Sequence, residues 1–371
     1  MESWLTAHAG EANVTLILPC HERELDTPAL DKIILELRCA TWIKRIIIGL
    51  DGCVQDPLPR ATQAFSGLPQ DLHLLWTQAP PVLALEADLK AAGFTTAVSG
   101  KGRNVWLCAG LLLAQRDRIG IAALHDCDIT DYSSELLARL VLPLLEKSHG
   151  FRFNKGFYSR HRDRLHGRLG RFLVRPLLQA MELRAGPVPV LQFLSAFRYP
   201  LAGESAMDLD LLAKLNFPAT WGLEIGLLHE VRRQLGPSEV CQTELCAASD
   251  HRHQELSPLD PSAGLHRMAR EVAGTLLASV TGGTYPWREQ IVETWQDMAS
   301  AALRHAHAEA VINGLLTDPT QDQLAVTTFA TALQAAIEAP APPALLPSWQ
   351  AVERAVPGVF ERLHQAGSAA S

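Results

Sequence analysis

At 371 residues, with 47% hydrophobic and 20% charged side chains, the chain has the composition of a globular protein that buries one large core or two smaller ones. A formal net charge of -7 excludes a general affinity for nucleic acid, although a local basic patch is still compatible with it. No apolar run reaches the roughly 18 residues of a membrane span, and Met1–His8 lacks a basic segment followed by an apolar one, so a cytoplasmic protein with no membrane partner is expected.

Val14 to Leu18 is a β-rich apolar run that breaks at Pro19-Cys20-His21-Glu22-Arg23, and Leu30 to Arg38 then has helical spacing. A second strand, Lys44 to Leu50, ends at Asp51-Gly52, and a third covers Leu72 to Trp76. Gly100-Lys101-Gly102-Arg103-Asn104 leads into an apolar helix from about Val105 to Gln115. Gly120 to Leu124 is apolar without helical polar spacing and reads as a buried strand running into His125-Asp126-Cys127-Asp128. Strands alternating with helices predict an α/β fold, an open and mostly parallel sheet flanked by helices. Such sheets keep their chemistry beyond the carboxyl ends of the strands, where Asp126 and Asp128 fall. If the backbone stays extended the two carboxylates share a side, and paired hard oxygen donors hold Mg²⁺ or Mn²⁺ against a diphosphate. Taken alone, Asp-x-Asp is a weak motif, more often a solvated turn after a strand than a metal site.

Beyond the dyad, Ser133 to Leu145 is an amphipathic helix with Ser133 as its N-cap, and Phe151 to Tyr158 is a further strand. In a chain that is acidic overall, Ser159 to Arg171 concentrates Arg160, Arg162, Arg164, Arg168 and Arg171 with His161 and His166. That stretch fits a solvated helix face, a nucleic-acid patch or a clamp for a small anion; with only Tyr158 and Phe172 nearby it is a poor stacking platform. Phe217 to Gly226 feeds a helix over 223–235, where Glu224 is either a residue stabilising the helix dipole or a group at the reacting centre. His251 and His253 alternate along an extended backbone, with no Cys or third His near enough to complete a zinc site. The seven cysteines contain no Cys-x-x-Cys pair and read as buried free thiols. From about Pro261 the chain is helical, with a linker at Ala339–Pro343 and a terminal helix to about Gln365.

Several of these stretches together resemble the glucosyl-3-phosphoglycerate synthases, retaining glycosyltransferases of the GT-A fold. The matching pieces are Leu18-Pro-Cys-His-Glu22, Gly100-Lys-Gly102, Asp126-Cys-Asp128, Asn154-Lys-Gly-Phe-Tyr158, Gly167 to Leu177, Leu201-Ala-Gly-Glu204, Trp221 to Gly226 and His251-Arg-His253, all in a consistent order. Ile312-Asn-Gly-Leu315 and Pro347-Ser-Trp349 look like a longer branch found in cyanobacteria and some other bacteria. The resemblance implies a GT-A catalytic domain over 1–255 and a helical extension over 256–371 that buttresses or dimerises it.

It also implies roles. Pro19, Cys20, His21 and Glu22 would line the uridine pocket, with Asp51 beside the same base and Leu201 also on the nucleotide-sugar. Lys101, flanked by glycines, would pair with the diphosphate. Asp126 would contact the sugar nucleotide, Asp128 and His251 would hold Mg²⁺ or Mn²⁺, and Glu224 would orient sugar hydroxyls or stabilise oxocarbenium-like charge. Gly167 and Arg168 fall on the acceptor-binding pair. Gly170 replaces a hydroxyl residue, and His253 an asparagine, of other members. The implied reaction moves glucose from an NDP-glucose, UDP- or GDP-linked, to the 2-hydroxyl of 3-phosphoglycerate; a later phosphatase would give glucosylglycerate, a compatible solute. A homodimer is implied as well. Rival readings keep the fold with a mannose donor or another acceptor, or make the chain a non-catalytic protein that binds nucleotide or RNA through residues 159–171. A lipid acceptor is disfavoured, since no Lys/Arg-rich amphipathic helix is evident.

Overall fold

The alternation of side chains along the strands builds the molecule as two apolar layers on one sheet. In the computed structural model, which describes residues 4–6, 13–97, 99–117, 119–248, 254–281, 287, 290–339 and 343–369, strand β1 (Val14–His21) is buried as far as Cys20. Its Ile17 joins Ile47, Leu75, Ala122 and Leu124 in one core, while Leu16 and Leu18 join Ile46, Ile48 and Leu74 in another. A strand covered on both faces has no use for polar alternation, which is why these runs read as continuously apolar.

In chain order the first half consists of β1, α1 (Pro28–Cys39), β2 (Arg45–Asp51), α2 (Leu58–Ala64), β3 (Asp71–Trp76), α3 (Pro80–Ala91), α4 (Lys101–Ala114) and β4 (Ile121–Leu124). These four strands pair in parallel, with His21 opposite Asp51 and Ile17 opposite Leu124, so the ends of β1 and β2 are level. The second half contributes α5 (Ser134–Leu145), β5 (Phe153–Ser159), a π-helical turn (Leu169–Val174) running into α6 (Arg175–Ala185), α7 (Pro189–Ser195), β6 (Ser205–Asp208), α8 (Leu209–Lys214), β7 (Phe217–Pro218), α9 (Leu223–Gln234) and β8 (Val240–Ala248). The C-terminal part holds α10 (Gly264–Thr281), α11 (Ile291–Ile312), α12 (Pro319–Glu338), β9 (Leu345–Leu346), α13 (Trp349–Ala355), α14 (Val359–Ala366) and β10 (Ser368–Ala369).

The main sheet has the order β10-β3-β2-β1-β4-β6-β5-β8. It is mostly parallel, as the alternation predicts, with β6 antiparallel between β4 and β5 and β10 antiparallel on β3. Three local expectations change. The helix expected from Val105 begins at Lys101, so the lysine sits on a helix and not in the loop before it. Ser133 precedes its helix but makes no side-chain cap; Glu36 Oε2 accepts from Ser134 N at 2.9 Å and satisfies that terminus from α1. The seven thiols are free, as expected, but Cys39 is exposed at the end of α1.

The C-terminal elements complete this core. Trp349 stacks on Trp106 of α4 at 4.2 Å between ring centroids, and both indole N–H groups are satisfied, Trp349 by Trp106 O at 2.7 Å and Trp106 by Pro347 O at 2.8 Å. No described helix is long and apolar enough to cross a membrane.

Candidate functional site

A cleft of about 830 Å³ opens beyond the ends of β1, β2 and β4. Pro19 and His21 enter it from β1, Asp51 from β2, and Asp126 and Asp128 from the turn after β4. The strand stops at Leu124, so Asp126 and Asp128 lie on a turn, yet the alternation persists: Cys127 between them is buried and donates its thiol to Pro19 O at 3.2 Å. Asp51 accepts from Thr77 Oγ1 at 2.7 Å and Gln78 Nε2 at 2.5 Å, fixing its carboxylate against the end of β3. The His21 ring lies over Gly52, and burial together with Arg23 pushes the imidazole pKa down. Cys20 is fully buried beneath this wall, and Glu22, half-buried and 3.9 Å from Arg60, lies outside the lining.

Lys101 is the centre of the acidic half. Its Nζ lies 2.7 Å from Asp126 Oδ1 and 2.7 Å from Glu224 Oε1. Burial opposes the ammonium charge, but the Coulombic pull of Asp126 and Glu224 outweighs it and raises the pKa, so the amine is charged at neutral pH. Glu224, which the sequence leaves between a helix-dipole role and the reacting centre, is in the first turn of α9 and also lines the cleft. The glycines around Lys101 serve the helix terminus: a Cβ at Gly102 would lie 1.7 Å from Pro218 O, and Arg103 N donates to Ala219 O at 3.0 Å. They bring α4 against β7, which places Lys101 beside Glu224.

Behind the dyad, buried Lys155 donates to Ala202 O, and burial pushes its pKa down to about 8 against the pull of Glu224 and Glu204. This fixes the 201–204 segment, from which Leu201 lines the cleft. The same segment presses on the dyad, since a Cβ at Gly203 would lie 2.5 Å from Asp126 Oδ2, and Lys101 holds that carboxylate in place. Gly203→Ala is therefore expected to displace Asp126 from Lys101 and to lower both kcat, by about tenfold, and the melting temperature, as steady-state kinetics and calorimetry would register.

The lining also carries a basic set. Arg160, Arg164, His166, Gly167, Arg168, Gly170 and Arg267 line the cleft. Gly167 adopts φ +74° at the bend before the π-helical turn, and a Cβ on Gly170 would meet the Tyr199 ring at an ordinary 3.5 Å, so a hydroxyl side chain would also fit there. Arg168 Nε pairs with Asp322 Oδ1 at 2.7 Å. Arg171 lies outside the cleft and donates to the carbonyls of Leu165 and His166, both at 3.0 Å, holding the loop. His251 and His253 lie outside the described residues.

Sequence reasoning misses Tyr199, which accepts from Arg160 Nη1 at 3.3 Å, and the wall supplied by α10, including Arg267 and Met268. Arg267 pairs with Glu271 one turn on at 2.7 Å, the pattern of an ordinary solvated helix face, which hides its position from the sequence. Glu271 also accepts from Trp221 N at 3.1 Å and so ties α10 to the entry of α9.

The lining thus combines two sets of groups: carboxylates with one lysine at and near the strand ends, and arginines from the 160–168 loop and α10. Among the described residues no cluster of three or more His, Cys, Asp and Glu encloses a metal. Hard carboxylate oxygens at the edge of an open cleft nevertheless suit Mg²⁺ or Mn²⁺, which take few protein ligands and complete their shells with water and phosphate oxygens.

Curated relatives of this chain are named glucosyl-3-phosphoglycerate synthase. The relative from Persephonella marina is 33% identical over 374 residues, covering 99% of this chain and 92% of its own. That from Methanococcoides burtonii is 33% identical over 364 residues, covering 95% and 89%. Among solved structures, the glucosyl-3-phosphoglycerate synthase of Mycobacterium tuberculosis in complex with Mn²⁺, UDP-glucose and phosphoglyceric acid matches with a TM-score of 0.55 at 23% identity, over 76% of this chain and 84% of that one. At that identity the likeness is one of fold. No family model matches the chain.

Proposed function

The chain belongs to the glucosyl-3-phosphoglycerate synthase family and has the GT-A fold, and from that premise we propose that it transfers glucose from an NDP-glucose, UDP- or GDP-linked, to the 2-hydroxyl of 3-phosphoglycerate with retention at the anomeric carbon. The observation that carries this reading is the mixed charge of the cleft, whose lining combines Asp51, Asp126, Asp128, Glu224 and Lys101 with Arg160, Arg164, Arg168 and Arg267. A donor whose diphosphate needs a cation and an acceptor with two anionic groups fit those two sets of groups.

In this reading Pro19, His21 and Asp51 bound the base, with Cys20 and Glu22 shaping the wall from behind and beside. Lys101 has three N–H donors; its carboxylate partners leave capacity to donate to a diphosphate oxygen. Asp128 and His251 would hold Mg²⁺ or Mn²⁺, which when bound supplies charge neutralisation for the leaving diphosphate. Asp126 and Glu224, fixed by Lys101, orient the glucose. The bond from the anomeric carbon to the diphosphate breaks while the acceptor 2-oxygen bonds to that carbon from the same face. The acceptor proton passes to the departing diphosphate, so no protein base is required.

Gly167, Arg168, Gly170 and His253 receive the acceptor. Residues 1–255 form the catalytic domain and 256–371 an extension that braces the acceptor wall and α9. Exposed Val311, Ile312 and Leu316 at the end of α11 suit a homodimer contact, and the seven free thiols suit the cytoplasm. The test is metal-dependent release of nucleoside diphosphate on adding 3-phosphoglycerate, screened across UDP-, GDP- and ADP-glucose and GDP-mannose. Release from UDP- or GDP-glucose is expected. Release from the mannose donor alone would overturn the sugar assignment, and none from any donor would overturn the transferase.

A further inference from the structure

The helical extension touches the acceptor wall at a carboxylate. Asp322, in the first turn of α12 and only 7% exposed, accepts from Arg168 Nε at 2.7 Å through Oδ1, and its Oδ2 lies 3.5 Å from His307 Nε2 of α11. Arg164, Arg168, Arg171 and His307 line the small recess that contains it. The connection between α11 and α12 is pinned to the same loop, because Leu316 N donates to Asp163 O at 2.7 Å and Leu316 bridges Arg164.

A guanidinium presents two edges to oxyanions, one formed by Nε and a terminal nitrogen, the other by both terminal nitrogens. Asp322 takes Nε, so the first edge of Arg168 is used from inside the protein. Arg168 also lines the main cleft, where the second edge can meet a phosphate or carboxylate. Arg171, which donates to the Leu165 and His166 carbonyls, holds the loop; Arg164 and Arg168 line both spaces, and of the two it is Arg168 that pairs with a carboxylate of α12.

We propose that Asp322 is a positioning residue for the acceptor: it fixes the Arg168 guanidinium so that its terminal nitrogens are presented to the acceptor anion. This rests on the reading of Arg168 as the acceptor clamp. Two effects of the carboxylate oppose each other. Its charge repels an incoming anion, whereas the hydrogen bond removes the rotamer freedom that an arginine otherwise loses on binding. With Oδ1 directly on Nε, in a recess lined by Arg164 and Arg171 as well as by Asp318, the ordering effect dominates.

The experiment is a kinetic cycle of D322A, R168A and the double variant, with D322N alongside, measuring KM for 3-phosphoglycerate, KM for the NDP-glucose donor, kcat and melting temperature. D322A is expected to raise the acceptor KM by about tenfold with donor KM and kcat within about twofold, and D322N, which retains an acceptor oxygen, to recover most of the loss. R168A is expected to raise the acceptor KM at least as far, with no further rise on adding D322A. An acceptor KM that is unchanged or lower in D322A, or losses that add in the double variant, would overturn the role of Asp322. An unchanged acceptor KM in R168A would instead overturn the clamp itself. If D322A does not fold, D322S, whose hydroxyl is too short to reach Nε, carries the same cycle.

Discussion

Asp128→Ala is expected to lower metal-dependent turnover by about a thousandfold while leaving a folded protein. Asp128 lines the cleft at the turn after β4 and is half-buried there, with Asp126 in the same lining. The side chain stands on a turn beyond the strand end and outside the packed core, so the ligand-free melting temperature is expected to change little. On the proposed reading Asp128 holds the divalent ion, so Mn²⁺ plus UDP is expected to raise the melting temperature of the wild type and not that of the variant. Retained turnover, or a retained shift, would remove Asp128 from the metal site.

Lys101→Met should damage both activity and stability. The lysine joins Asp126 and Glu224, each 2.7 Å away, and its side chain is 14% exposed while that of Glu224 is 8% exposed. Methionine keeps the volume but leaves two carboxylates facing each other without a cation, and breaking a buried ion pair in this way costs about 3 to 5 kcal/mol. On the proposed reading turnover is expected to fall at least about a hundredfold, because the donor would lose a cation and Asp126 and Glu224 would lose their anchor. The pH behaviour is specific. Because the folded-state pKa of Lys101 is raised, its stabilisation is fully present below the ordinary lysine pKa and is lost only as pH rises through the higher folded value. The stability gap between wild type and variant, measured by urea unfolding, is therefore expected to be flat between about pH 6 and about pH 9. A gap that closes in that window would mean the amine is not held charged by its partners.

The strand-end edge was the most legible part of the cleft. Apolar runs without helical spacing located β1 to β4, and their ends brought Pro19, His21, Asp51, Asp126 and Asp128 into one cleft, because parallel strands in register put their carboxyl ends side by side. Less of the other wall was legible. The arginine cluster was visible, but Arg168 and Arg171 look alike in sequence, and only packing assigns one to the cleft and the other to the loop behind it. β6, four residues long, has too short a pattern to announce an antiparallel strand beside the dyad.

The sequence by itself determined the order of elements, the buried strands and the chemistry gathered at their ends, because hydrophobic period and strand-end position are local properties. The tertiary structure alone decided the partners. Glu224 meets Lys101 across 123 residues, Asp322 meets Arg168 across 154, and Gly203 bears on Asp126 from a segment with no local reason to be glycine. Each of these contacts depends on how one layer packs against another, α4 on β7 and α12 on the π-helical turn. No periodicity within a single segment encodes that arrangement.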